Sequence, residues 1–214
     1  MTINYPNGKK FIPPSPLLKT KRSSSRVQHG KRGMRLEEEI AASNAFYLER
    51  EIAVIHKKPT PIQVVKVDYP KRSAAVINEA YYRHSSTTDF NGIYRGKYID
   101  FEAKETQNKL SFPLKNFHEH QIVHMEKCQK LGGLTFVLIR FSSLNRVFLL
   151  ESSHLSQFWN NQDKNDTRKS IPLNYIEKYG YEVYYGFQPP LDYLKIVDQL
   201  IESKNKRKGD HCGE

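Results

Sequence analysis

The segment 88–104 constrains the fold more than any other stretch of this chain. Residues 89–94 and 97–104 are two β-prone runs joined by Arg95-Gly96, and a two-residue, glycine-containing link between such runs specifies a hairpin. Alternation along the second run places Ile99, Phe101 and Ala103 on one face and Asp100, Glu102 and Lys104 on the other. The apolar face must lie on a core, so the polar stripe takes a fixed position relative to that core. Downstream, residues 116–131 read as a helix stopped by Gly132-Gly133. Residues 134–141 read as a strongly apolar strand with 146–150 as its antiparallel neighbour, and a capped helix is expected near Ser152-Ser153. A short helix at 173–179, a strand at 181–185 and a closing amphipathic helix carrying Leu191, Leu194, Val197 and Ile201 complete the pattern. Upstream, Leu36, Ile40, Tyr47 and Leu48 recur at helical spacing, which predicts a helix over 34–51 with Glu37, Glu38 and Glu39 in its first turn. Short strands are expected at 52–55 and 62–67, and a turn or two of helix at 74–82. The order predicts an α/β core, a mixed central sheet flanked by helices.

A chain of 214 residues suits one domain. Lys and Arg number 34 against 23 Asp and Glu, a formal charge of +11 that favours a polyanionic partner. Mean hydropathy is −0.69 and no run approaches the apolar length needed to span a bilayer, so no membrane partner is expected. The 13 Tyr and 11 Phe supply a core and argue against wholesale disorder. Two cysteines, Cys128 and Cys212, suggest neither a disulfide framework nor a zinc site and suit a reducing compartment.

The charge is uneven. Residues 1–33 form an acid-free, proline- and serine-bearing stretch without apolar periodicity, read as a flexible basic arm for nucleic acid in which Lys31 and Arg32, with Arg35 just beyond, are candidate DNA contacts. An organelle transit peptide is the weaker reading, and no apolar segment supports a secretory signal. Residues 34–203 are the expected core, interrupted by a basic, proline-bounded insertion at 57–83, and 204–214 read as a frayed basic tail. There is no internal repeat.

The chemistry concentrates in Asp89, Glu102 and Lys104. Two carboxylates on paired strands can share one Mg²⁺, a cation that takes oxygen ligands and keeps waters for a phosphate and a nucleophile. A lysine two residues past the glutamate points the same way and can orient water or neutralise charge on a scissile phosphate. Glu-x-Lys on a strand is also a common solvated pair; the opposing apolar stripe and the partner strand folding back on Glu102 favour the catalytic reading. The remaining motifs have plainer explanations: His120 and His124 as helix-surface residues, Trp159 and Phe158 as core, Tyr184 and Tyr185 as packing around the last strand, and Cys128 as a small buried hydrophobe.

Asp89, twelve residues, then Glu102-Ala103-Lys104 resembles the PD-(D/E)xK nuclease signature, although Thr88 stands where the signature has its proline. More widely, Gly33-Met34-Arg35-Leu36-Glu37, Ser86-Thr87-Thr88-Asp89-Phe90-Asn91-Gly92, Asp100-Phe101-Glu102-Ala103-Lys104-Glu105-Thr106 and His118-Glu119-His120-Gln121 resemble the RecU family of Holliday junction resolvases from Gram-positive bacteria. The resemblance implies a restriction-endonuclease-like core with a projecting stalk at 57–83. It implies a Mg²⁺-dependent endonuclease, with Mn²⁺ as a substitute, that resolves four-way DNA junctions by symmetric paired nicks leaving 5′-phosphates. Asp89 and Glu102 would be the principal metal ligands, Thr87 and Gln121 would complete the site, and Lys104 would stabilise the transition state. Glu37 matches a helix position where related nucleases place an acid. Lys71 and Arg72 would be stalk contacts to the junction. The family further implies a homodimer, partnership with the recombinase RecA, and a nucleoid-associated place in the bacterial cytoplasm. A non-catalytic junction-binding or architectural protein is the alternative.

Overall fold

The structure, a computed structural model, describes residues 30–68, 75–82, 87–162 and 168–209, without the side chains of 30–35 and 205–209. In chain order its elements are α1 (Gly30–Glu49), β1 (Val54–Lys57), β2 (Ile62–Asp68), β3 (Val76–Tyr82), β4 (Phe90–Tyr94), β5 (Lys97–Thr106), β6 (Ser111–Pro113), a 3-10 turn (Leu114–Asn116), α2 (Glu119–Lys130), β7 (Leu134–Phe141), β8 (Arg146–Glu151), α3 (Ser152–Trp159), β9 (Ser170–Pro172), α4 (Leu173–Tyr179), β10 (Tyr181–Val183) and α5 (Leu194–Gly209). Six strands form the central sheet in the order β1-β4-β5-β7-β8-β10. β5 and β7 run parallel and every other neighbouring pair is antiparallel. This is the mixed sheet with flanking helices that the sequence predicts. The parallel pair needs a crossover, and α2 supplies it.

Both faces of the sheet are covered. Ile99, Phe101, Ala103, Phe136 and Leu138 pack with Leu36, Ile40 and Tyr47 of α1 and with Leu194, Val197 and Leu200 of α5. Val137, Ile139, Phe148 and Leu150 point the other way, onto Ile122 and Met125 of α2, Leu155 of α3 and Ile176 of α4. The β4–β5 hairpin turns on Arg95 and Gly96, both at positive φ (48° and 68°), as the two-residue link requires. At the sheet edge a Cβ at Gly92 would stand 2.0 Å from the Val54 carbonyl oxygen, so the close approach of β1 to β4 at this point requires glycine.

Three aromatic rings hold the centre. Phe90, Phe101 and Phe136 are register partners on β4, β5 and β7. Their rings stack at centroid distances of 5.0 and 4.8 Å with interplanar angles of 7° and 9°, and Tyr193 tilts onto Phe101 at 5.3 Å.

Several boundaries differ from expectation. α1 begins at Gly30 rather than at residue 34, so Glu37, Glu38 and Glu39 lie beyond its first turn; Glu37 pairs with Lys57 at 2.5 Å and Glu39 with Arg140, tertiary partners in place of a helix end. Residues 76–82 are a strand, not a helix: their β-branched and aromatic side chains pair with β2, and that pairing outweighs the helical propensity of Asn78-Glu79-Ala80. β2 and β3 form a separate two-stranded sheet exposed along nearly its whole length. Ser152 starts α3 without capping it, because its hydroxyl is hydrogen-bonded to Thr135. Residues 204–209, expected to fray, continue α5, and Lys204 pairs with Glu151 at 3.0 Å. The small β6–β9 sheet has no clear sequence signal. No helix among the described residues is long and apolar enough to cross a membrane.

Phe101→Ala removes the central ring of the stack and leaves a cavity. We expect a loss of about 3–5 kcal/mol in urea denaturation, the usual cost of truncating a buried phenylalanine; a loss under ~1 kcal/mol would show that the stack does not hold the sheet.

Candidate active site

Strand β5 carries the site. Its alternation is as expected, but the polar face is not solvated: Asp100 and Glu102 are both fully buried because α2 crosses over them. Buried carboxylates require charged or hydrogen-bonding partners, and the two have different ones.

Glu102 faces Asp89, Lys104 and Gln121. Its Oε2 accepts the backbone N–H of Asp89 at 3.0 Å. Its Oε1 accepts Gln121 Nε2 at 2.7 Å and forms an ion pair with Lys104 Nζ. Gln121 is held in place by local sequence. It is the third residue of α2, and its Oε1 accepts the His118 backbone N–H at 3.0 Å in a capping box, which turns its amide nitrogen toward Glu102. Burial pushes the Glu102 carboxyl up to about 8; Lys104 opposes this, and the Asp89 carboxylate within interaction range adds to it. Burial alone would lower the Lys104 ammonium, but Glu102, Asp89 and Glu37 outweigh it and hold its pKa above the usual value. Glu37 therefore does stand within electrostatic reach of the cluster. Asp89 Oδ2 is buried and has no hydrogen-bond partner among the described residues. An unpartnered carboxylate oxygen beside a glutamate whose pKa is raised by burial and by a second carboxylate is what an oxygen-coordinated cation site presents without its cation.

Asp100 belongs to a second network. Lys58 Nζ and Tyr98 OH each donate to Oδ2 at 2.8 Å, His124 Nε2 lies 3.1 Å from the same oxygen, and Thr88 donates to Oδ1. Burial raises Asp100, but the bonds from Lys58, Thr88, Tyr98 and His124 prevail and keep it below its ordinary value. Lys58 also bonds Thr88 Oγ1 at 2.9 Å, and its backbone N–H donates to the Asp89 carbonyl at 2.7 Å. This network pins the turn that delivers Asp89.

The structure thus brings Asp89, Glu102, Lys104 and Gln121 together, with Glu37 at the margin. Thr87 is half-buried two residues before Asp89. Lys31, Arg32 and Arg35 fall in the first turns of α1, but their side chains lie outside the described residues, as do Lys71 and Arg72 entirely. His124, read as a surface residue, bonds a buried aspartate, and Cys128, read as a buried hydrophobe, is half-buried with its Sγ 3.5 Å from His124 Nε2. Sequence reasoning missed Lys58, because nothing in the Lys57-Lys58-Pro59 run announces a contact forty-two residues away. For Asp100 a signal existed: it shares the strand face of Glu102.

A mixed sheet with a carboxylate pair and a lysine on adjacent strands is the arrangement expected from the sequence for a nuclease. The family model described as Recombination protein U matches residues 31–199, and the chain belongs to that family. Relatives named Holliday junction resolvase RecU include those of Lactiplantibacillus plantarum (58% identity over 94% of this chain and 97% of the relative), Geobacillus sp. (54%; 95% and 100%) and Staphylococcus aureus (54%; 93% and 96%). Among solved structures, the Holliday junction resolvase Hjc of Archaeoglobus fulgidus covers 70% of this chain and 94% of its own at 9% identity. The TM-score of that match is 0.41.

In metal-free protein the raised Glu102 pKa has a definite sign. The folded chain keeps a proton that the unfolded chain releases near 4.5, so stability is greatest below that value and falls as pH rises through about 8. In chelator, the melting temperature of the natural protein should fall across that window relative to Glu102→Gln, which has no proton to lose. Parallel melting curves for the two proteins would contradict the assignment.

Proposed function

We propose that this chain is a divalent-cation-dependent, structure-selective endonuclease that resolves four-way (Holliday) DNA junctions by symmetric paired nicks, with Mg²⁺ as its natural metal. The observation that carries the reading is the buried Glu102 carboxyl beside Asp89, whose buried Oδ2 has no hydrogen-bond partner among the described residues, with the Lys104 ammonium adjoining. Family membership and the names of the relatives support the substrate.

Asp89 and Glu102, with Thr87, would hold the cation; Gln121, expected as a further ligand, instead presents its amide nitrogen to Glu102 and would act by holding that carboxylate. When bound, the cation supplies charge neutralisation at the phosphate and a water of lowered pKa. The chain's own groups do the rest. Gln121 and the Asp89 N–H fix the Glu102 carboxylate so that it cannot rotate away. Lys104, tethered to Glu102 and half-buried, presents an ammonium where negative charge accumulates on the scissile phosphate. Glu102 and Asp89, with a smaller contribution from Glu37, hold that lysine's pKa up against its burial.

Symmetric nicking requires two such sites, and a homodimer supplies them. The edge strand favours this state: Val54 and Ile93 are cross-strand neighbours, both apolar and exposed, and Leu48 and Ile52 are exposed close by in the chain. The exposed β2–β3 hairpin has the form of a stalk able to enter the open centre of a junction, with Lys71 and Arg72, in the sequence between its two strands, as junction contacts and Lys31, Arg32 and Arg35 on duplex phosphates. A chain acting on chromosomal junctions works in the bacterial cytoplasm at the nucleoid.

Strand-resolved cleavage of a synthetic four-way junction tests the proposal. Cutting should occur on opposing strands, need Mg²⁺ or Mn²⁺, and exceed cutting of linear duplex. Glu102→Ala and Lys104→Met should each lower the nicking rate by at least about 10²–10³-fold while junction binding changes little. Full activity in Glu102→Ala would leave a passive junction binder as the remaining reading.

A further inference from the structure

Asp100, His124 and Cys128 form a cluster that the proposed reaction does not use. One ligand atom from each, a carboxylate oxygen, an imidazole nitrogen and the thiol sulfur, lies within 4.8 Å of the other two. Nε2 stands 3.1 Å from Oδ2 and 3.5 Å from Sγ. For a tetrahedral zinc ion with ordinary bond lengths, an oxygen–nitrogen edge is about 3.4 Å and a nitrogen–sulfur edge about 3.5 Å. The observed separations are already near those edges. His124 and Cys128 are four residues apart on one face of α2, and Asp100 reaches them from β5, so two rigid elements fix the geometry. Access is open on one side: the His124 side chain is 23% exposed and Cys128 is half-buried. A water can take the fourth position from that side.

We propose that Asp100, His124 and Cys128 constitute a second metal site, selective for Zn²⁺ or another thiophilic divalent ion and separate from the all-oxygen Asp89–Glu102 centre. Sulfur and imidazole donors select such ions, whereas Mg²⁺ prefers the oxygen set. The two cysteines give no zinc-finger spacing, which is why the sequence argued against zinc; the fold assembles one of them with partners the spacing could not show. Lys58 and Tyr98 also donate to Asp100 Oδ2, so an ion there shares that oxygen with them. Burial and the Asp100 charge raise the Cys128 thiol, so binding displaces a thiol proton to solvent. Asp100 also accepts from Thr88, so the ion would sit one hydrogen bond from the turn that holds Asp89. The inference stands whether or not the carboxylate pair is catalytic.

The test uses the full, reduced chain and Co²⁺ as a spectroscopic stand-in. A near-ultraviolet thiolate-to-cobalt charge-transfer band with tetrahedral visible bands should grow to saturation at one equivalent. It should persist in excess Mg²⁺ and in Cys212→Ser, and be lost in Cys128→Ser and in His124→Gln. No band, a band that survives Cys128→Ser, or one erased by Mg²⁺ overturns the proposal. A second measurement needs no variant: in natural protein, Zn²⁺ at ten times its Kd should slow alkylation of Cys128 roughly tenfold by occupancy, read on the Cys128 peptide, and Mg²⁺ should not. An unchanged alkylation rate also overturns it.

Discussion

The register of β5 between β4 and β7 is the constraint on which the rest depends. Side chains alternate with period two, so a slip of one residue would turn Glu102 and Lys104 onto α1 and α5 and drive Phe101 and Ala103 under α2. The stacked rings of Phe90, Phe101 and Phe136 oppose that slip, since each sits directly across from the next. The Arg95-Gly96 turn fixes the same register from the hairpin end. An apolar ladder on one face thereby determines where charges stand on the other.

Two carboxylates, two residues apart on one strand face and both fully buried, are driven in opposite directions. Asp100 receives four donors, one of them an ammonium, and stays ionised. Glu102 has one ammonium, an amide and a backbone N–H, but burial, with a second carboxylate facing it, outweighs them and raises its pKa. The first behaves as a structural anchor, the second as a group awaiting positive charge. Neither role follows from residue type; both follow from what the neighbouring elements bring. Arg140 repeats the theme on the α1 side of the sheet, where a buried guanidinium ties Glu39, Glu105 and Tyr185 to the same strands.

Much of this was legible in the chain itself. The two-residue turn, the alternation in 97–104, the apolar run at 134–141 and the Gly132-Gly133 stop placed β4, β5, β7 and α2, and with them Asp89, Glu102 and Lys104. Local pattern suffices where a turn type or a period is decisive. It failed where tertiary pairing decided the outcome: residues 76–82 carry mixed propensity and became a strand only through β2, and Glu37, Glu38 and Glu39 looked like helix-start acids although two of them have partners elsewhere in the fold. Gln121 was visible only through family resemblance, since its value lies in a capping box that aims its amide. Lys58 was not visible at all.

Asp89 and Glu102 belong to a single local hairpin, whereas Gln121 rides on α2, which is placed only when β7 pairs in parallel with β5. Non-local parallel pairing is a slow, late event in chain assembly. The hairpin alone sets the two acids near each other, whereas the amide that steadies Glu102 comes only with the crossover, so the pair takes its final arrangement only once the parallel strand has docked.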